Sequence, residues 1–220
     1  EWGTAVVMRV SDGHLMAVAD YPSVDPNNVD GVPNTALGSR AFSWAYEPGS
    51  TMKAITAASL LDAGVATQTT QVVAPGRLYL SDGGFIKDSF AHDDLRYTLT
   101  GALVDSSNTA MSILSELIPA EQRYDYITGF GFNSETEVDF TGESEGLVHP
   151  AENWDERTNY AVQFGQGLSV TSVQMASAYQ ALANGGVRMP VTLVTGCTLP
   201  DGTTTHLPST EGTRVVSEAA

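Results

Sequence analysis

Cysteine is almost missing from this sequence: Cys197 stands alone. No disulfide can form within the chain, and no cysteine cluster is available to hold zinc. Basic residues are scarce too, ten against 26 acidic ones, and the formal charge of -16 opposes nucleic acid or an anionic membrane surface as a partner. The four histidines, His14, His92, His149 and His206, are widely spaced and begin no HExxH or HxH pattern, so neither a metal nor another cofactor is expected. No apolar run approaches the ~20 residues that cross a bilayer, and no basic stretch with an apolar core opens the chain. What is present is a globular composition: 220 residues, 42% of them apolar, enough for one sizeable core or two small ones.

Along the chain, TAVVMRV (4–10), SDG (11–13) and HLMAVAD (14–20) read as strand, turn and strand, reversed at Asp12-Gly13. A lone hairpin is marginal, so this one needs further strands or a helix layer, with partners expected late in the sequence. Residues 21–34, rich in Pro, Asn and Asp, read as a loop. A helix is expected just past Gly49, with Met52, Ile55, Ser59 and Leu60 on one side and Gly64 at its end. Residues 65–97 read as short strands and loops. Then come TLTGALVD, SSN, and a helix from Thr109 with Ile113, Leu114 and Leu117 in register, followed by a short helix opened by Pro119. After a polar, Glu-rich span, Thr171 and Gln174 form a capping box for a helix that ends at Asn184-Gly185-Gly186. VTLVTG and the segment around DGTTTHL read as short strands joined by a turn.

Two groups of residues carry chemistry. In EPGSTMK, Ser50 and Lys53 are three apart, one helical turn, close enough for the amine to reach the hydroxyl. A serine is a weak nucleophile until a base takes its proton, and a lysine serves once burial or a neighbouring charge lowers its pKa. A helix start adds N–H groups that can hold an oxyanion. The same residues also suit a helix cap followed by a solvated lysine. In SSN, Ser106 and Asn108 can point together from a tight turn, to relay a proton and to bind an amide, or they can cap the following helix. Glu47 and Asp105 stand near these groups, and either can act electrostatically or face water. FGQG (164–167) suits a tight turn more than chemistry, although Gln163, Gln166 and Thr171 offer polar groups. Phe42, Trp44 and Tyr46 read as packing residues.

Taken together, EPGSTMK, SSN and FGQGLSVTSVQMASAYQALANGG resemble the transpeptidase domain of class B penicillin-binding proteins of the septal cell-division type. That superfamily carries S-x-x-K, then S-x-N, then K-T-G. AVVMRVSDGHLMAVADYPSVDPN is similar to the opening hairpin and loop of that domain, and SRAFSWAYEPGSTMK to the segment that delivers its nucleophile. The resemblance spans most of residues 4–220. It implies an α+β fold like that of penicillin-binding proteins and serine β-lactamases: a central antiparallel sheet with helices on both sides, here without its later strands.

By the same resemblance Ser50 is the nucleophile, Lys53 its base, Ser106 a proton relay and Asn108 a ligand of the substrate amide and of Lys53. The implied reaction is peptidoglycan D,D-transpeptidation: Ser50 attacks the penultimate D-Ala of a stem pentapeptide, on a lipid-linked or nascent strand, and terminal D-Ala leaves. β-Lactams would acylate the same serine. A glycosyltransferase and divisome proteins are the implied partners, and the extracytoplasmic face of the membrane the implied location. A non-catalytic β-lactam or muropeptide sensor of the same fold is the alternative, ahead of a β-lactamase or a structural module. One departure stands out: the sequence contains no KTG or KSG, and GTT at 202–204 lacks the lysine. Residues 1–220 are therefore expected to be a partial transpeptidase domain. Its KTG strand would come from a companion chain or from residues outside this sequence, as would any anchor or pedestal. RVVSEAA resembles the start of the helix preceding that strand.

Overall fold

The computed structural model describes residues 2–205 and 207–220. In chain order the first elements are β1 (Gly3–Met8), β2 (Leu15–Tyr21), α1 (Asn34–Leu37), α2 (Arg40–Ser43), a 3-10 turn (Gly49–Thr51) and α3 (Met52–Asp62). Four short strands follow, β3 (Gln71–Ala74), β4 (Leu78–Tyr79), β5 (Phe85–Ile86) and β6 (Leu95–Thr98). Next are α4 (Leu99–Val104), α5 (Asn108–Ser115), α6 (Ala120–Gly129), α7 (Glu156–Ala161) and α8 (Ser172–Ala183). The last are β7 (Val187–Arg188), β8 (Cys197–Thr198), β9 (Thr204–Thr205) and β10 (Thr213–Arg214). The chain divides into two compact units. One takes residues up to Tyr46, Phe130–Leu147 and Val170–Val215; the other takes Glu47–Gly129, Val148–Ser169 and Val216–Ala220.

In the first unit β1 and β2 pair antiparallel, from Gly3 opposite Tyr21 to Met8 opposite Leu15, with an irregularity at Val7/Met8. Alternation puts Val6, Met8 and Val18 against a core of Leu15, Ala41, Phe42, Val173 and Val191, while Val7 and Met16 face outward. Asp20 accepts hydrogen bonds from the Arg40 and Ala41 N–H groups, satisfying the start of α2 from across the unit. The hairpin does meet a late segment, because Leu15 N–H donates to the Thr192 carbonyl and Thr192 N–H to that of Gly13. The Thr171–Gln174 capping box is present in both directions, and Asn184, Gly185 and Gly186 close α8.

In the second unit β3 pairs with β6, and their apolar faces join α3, α4 and α5 around Leu60, Val72, Leu99, Met111, Leu114 and Ile118. Nearly all of α3 is buried, Met52, Ile55 and Leu60 completely, and burial of side chains of that size contributes about 1.5–3 kcal/mol each. Its small residues, Ala57, Ala58 and Ser59, let neighbouring backbones approach, and Gly64 takes the left-handed conformation just past its end.

Several expectations change. The helix expected from Thr109 begins at Asn108 and ends at Ser115; Ala110, Met111 and Leu114 are buried, and Ile113 packs partly buried against the same core. Leu117 falls past the end of the helix and is exposed. Of the three aromatics expected to pack, Phe42 is buried and Trp44, though part-exposed, packs edge-on against Trp2 at 5.2 Å with Arg40 over its ring, whereas part-exposed Tyr46 is tied by backbone hydrogen bonds exchanged with Val170. VTLVTG is not a strand. Only Thr192 in it bridges, to His14; the short ladder is Cys197–Thr198 with Thr204–Thr205, and His206 lies outside the described residues. RVVSEAA does not start as a helix either, since Arg214 pairs in β10 with β7 and only a single turn follows, closed by Ala220 N–H on the Ser217 carbonyl.

Candidate active site

The site lies wholly within the second unit. Pro48 and Gly49 lead into the 3-10 turn that carries Ser50, and α3 then carries Lys53. Ser50 is not a cap. No side-chain cap bond starts either element, and the neighbouring Thr51 hydroxyl donates instead to the Pro48 carbonyl. Ser50 is exposed, whereas Lys53 is only 2% exposed. The spacing of three does what helical geometry allows: Lys53 Nζ lies 3.2 Å from Ser50 Oγ.

The second group arrives from the turn between α4 and α5. Lys53 Nζ donates to Ser106 Oγ at 3.0 Å and also to the Ser106 carbonyl. Ser106 holds a left-handed backbone, φ 56°, a conformation that costs a non-glycine residue of order 1–3 kcal/mol and that persists where surrounding structure imposes it. Neither Ser106 nor Asn108 caps α5; Ser107 does, its hydroxyl accepting from Ala110 N–H at 3.0 Å. Relieved of capping, the Ser106 side chain meets Lys53, while Asn108 Nδ2 donates to the Lys87 carbonyl at 2.9 Å. Ser50, Lys53 and Ser106 thus form one hydrogen-bonded group. Asn108 stands beside it, with no bond to Lys53 among the described residues.

Burial pushes the Lys53 amine down from 10.5 to about 8, with the Asp88 carboxylate opposing that shift. At neutral pH roughly a tenth of such an amine is unprotonated, against well under a hundredth for an exposed lysine. The charge that acts on Lys53 is Asp88's, not that of Glu47. Glu47 is occupied with the Gly167 N–H at 2.8 Å, and Asp105 accepts the Tyr97 hydroxyl at 2.9 Å. Asp88 carries no local signal in the sequence. It sits in a stretch read as short strands and loops, and its buried carboxylate accepts the Asn108 and Thr109 N–H groups at 2.6 and 3.0 Å.

The FGQG segment forms the turn expected of it. Gly165 and Gly167 both have positive φ, and Gly49 N–H donates to the Gly165 carbonyl at 2.9 Å. A Cβ on Gly165 would come within 2.1 Å of the Gly49 carbonyl oxygen, so only glycine lets this turn lie against the backbone before the serine. Gln163 is buried, its carbonyl accepting the Thr56 hydroxyl, and Thr171 belongs to its capping box. Gln166 lines an open cavity of about 520 Å³ together with Glu47, Lys87, Asn108 and Phe164. A larger one, about 1070 Å³, lies along the same 87–88 segment, lined by Arg77, Tyr79, Phe90 and His92 among others.

A family model described as the penicillin-binding protein transpeptidase domain matches residues 3–220. The chain is 35% identical over 215 residues to penicillin-binding protein PbpB of Mycobacterium tuberculosis, covering 97% of this chain and 32% of that protein. It is 33% identical over 194 residues to the peptidoglycan D,D-transpeptidase FtsI of Escherichia coli K12, covering 88% of this chain and 32% of that protein. Among solved structures, penicillin-binding protein 3 of M. tuberculosis complexed with aztreonam superposes with a TM-score of 0.90 at 35% identity, over 98% of this chain and 48% of that one. The chain spans about a third of the length of these curated relatives.

Proposed function

The chain belongs to the penicillin-binding protein transpeptidase family, in its class B group with PBP3 and FtsI, and from that premise we propose that it works as a serine-type peptidoglycan D,D-transpeptidase. The fold is that of penicillin-binding protein transpeptidase domains. The observation that carries the mechanism is the buried Lys53 amine with its pKa near 8, 3.2 Å from the exposed Ser50 hydroxyl and 3.0 Å from that of Ser106.

In this reading unprotonated Lys53 takes the Ser50 proton while Ser50 Oγ bonds to the carbonyl carbon of the penultimate D-Ala. The N–H groups at the start of α3 help hold the oxyanion. The C–N bond to terminal D-Ala then breaks, and a proton delivered through Ser106 converts the leaving nitrogen to a free amine. An amine of a second stem peptide attacks the acyl-enzyme, forming the cross-link and releasing Ser50. Asn108, anchored through Nδ2, offers its amide oxygen to the substrate backbone. A β-lactam acylates Ser50 by the same opening step, as the aztreonam complex of a relative fits.

The sequence contains no KTG, and we assign the carboxylate-binding strand to residues outside it. The reaction belongs on the extracytoplasmic side of the membrane, where stem peptides are joined, in company with a glycosyltransferase and division proteins. No helix among the described residues is long and apolar enough to cross a membrane.

The test is intact-mass spectrometry of the protein after incubation with a labelled penicillin, beside Ser50→Ala. One adduct mapped to Ser50, absent from the variant, and release of D-Ala with product formation from an added amine are expected. An adduct without transfer would favour a sensor; no adduct on folded protein would sink the acyl-enzyme reading.

A further inference from the structure

One buried carboxylate near the site has no part in the chemistry above. Asp88 has a fully buried side chain, and its two oxygens are both engaged. Oδ1 accepts from the Asn108 and Thr109 N–H groups, the first two N–H groups of α5. Oδ2 meets His92 Nε2 at 3.1 Å, and His92, whose side chain is 6% exposed, turns its Nδ1 to the Asp93 carbonyl at 2.6 Å. The preceding residue holds the same target from another side, because the Lys87 carbonyl accepts Asn108 Nδ2. Residues 87 and 88 therefore grip Asn108 by backbone and side chain at once. Two residues earlier in that segment, Ser106 is held in its left-handed conformation against Lys53.

A carboxylate sealed from water in this position does two things. It meets the partial positive charge of the α5 start, which stabilises the placement of the whole SSN turn. It also places a poorly screened negative charge within electrostatic reach of Lys53. We propose that Asp88, braced by His92, is a positioning residue for the reaction: it locks Ser106 and Asn108 in register with Lys53, and its charge sets the pH at which Lys53 gives up its proton.

The inference rests on Ser50 and Lys53 being nucleophile and base. The groups facing the pair are few. Lys53 meets Ser50 and Ser106, neither of which titrates in the useful range. Asp88 meets His92 and, electrostatically, Lys53 and Tyr97. Tyr97, pushed up to about 12 first by burial and then by its bond to Asp105, stays neutral below pH 10. Lys87 is exposed and lines the open cavity beside Asn108.

The protein is labelled with ¹³C at lysine Cε, and the Lys53 titration is followed by NMR in wild type, Asp88→Asn and Asp88→Glu. The Lys53 signal is assigned as the lysine resonance missing from a Lys53→Met sample. Acylation by a labelled penicillin is measured over pH 6–10 on the same samples.

Asparagine keeps an acceptor for the two N–H groups but removes the charge. The Lys53 midpoint and the acidic limb of acylation are both expected to fall by about one pH unit, with the plateau rate reduced tenfold or more. Glutamate keeps the charge but displaces it by a methylene, so the midpoint stays near wild type while the plateau falls. A merely structural Asp88 would lower the plateau of both variants and leave the limb unmoved, which overturns the proposal. If Asp88→Asn does not fold, Asp88→Glu decides: a plateau within twofold of wild type overturns it. If wild type is not acylated at Ser50 although Lys53 titrates near pH 8, it is the nucleophile reading that fails, and the positioning role fails with it.

Discussion

Lys53 is a costly residue to bury, and in the proposed mechanism that cost is what lets it act as a base. Its amine is charged up to about pH 10.5 in the unfolded chain but only up to about 8 in the folded one, because burial outweighs the help of Asp88. Between those values the unfolded state binds the extra proton, so stability must rise with pH across that window and be lowest below it, by about 3 kcal/mol relative to an unperturbed lysine. Lys53→Met removes the group without emptying the space. The variant is expected to lose acylation and to be more stable than wild type at pH 7, with the gap closing as pH rises from 8 to 10.5. Urea unfolding at four pH values checks this, and a constant gap would mean that the lysine is not strained by burial. The same economy appears in Ser106, whose left-handed backbone is tolerated where its hydroxyl and carbonyl both serve Lys53.

At the scale of elements, the decisive contact is between two turns rather than two helices. Gly165 in the FGQG turn lies so close to Gly49 that a methyl group has no room, and its φ of 82° already disfavours any other residue. Gly165→Ala is therefore expected to cost about 1–3 kcal/mol and to displace the backbone just before Ser50. Because misplacement of a reacting group by about 1 Å lowers rates by about 100-fold, acylation should fall by that order, more than the loss in stability would suggest. Comparing the acylation rate with Tm separates the two effects; a variant that melts early but reacts normally would refute the link between this turn and the placement of Ser50. The sequence signal was half legible here. Glycines at 165 and 167 announced a tight turn, but nothing local pointed to Gly49, more than a hundred residues earlier.

For the whole molecule, electrostatics is one-sided. Ten bases cannot neutralise 26 acids, and the ion pairs among the described residues, Arg9–Asp12, Asp82–Arg157 and Glu137–Arg188, engage only a few carboxylates. Self-repulsion of that kind opposes compaction and is screened by salt. Going from about 0.01 M to 0.15 M salt shortens the screening length from about 30 to 8 Å, so melting at pH 7 should move up by about 2–4 °C, the shift expected from about 1 kcal/mol. A melting temperature that falls with salt would show that the few ion pairs matter more than the surplus charge.

What the sequence determined by itself is whatever a few neighbouring residues settle. The reach of Lys53 to Ser50, the Thr171–Gln174 box, the glycine ends of α3 and α8 and the opening hairpin all follow from helical spacing or turn chemistry within ten residues or so. The family resemblance could be read for the same reason, since its motifs are short runs. Choices between equivalent local patterns were left to the tertiary structure: where α5 ends, leaving Leu117 beyond it, that Ser107 rather than Ser106 or Asn108 caps it, and that Arg214 pairs as a strand. It alone also joined Lys53 to Ser106, 53 residues away, and brought Asp88 under the start of α5. Burial and long-range hydrogen bonds made those choices, because their free energy depends on which distant surfaces meet, and no window of adjacent residues contains that information.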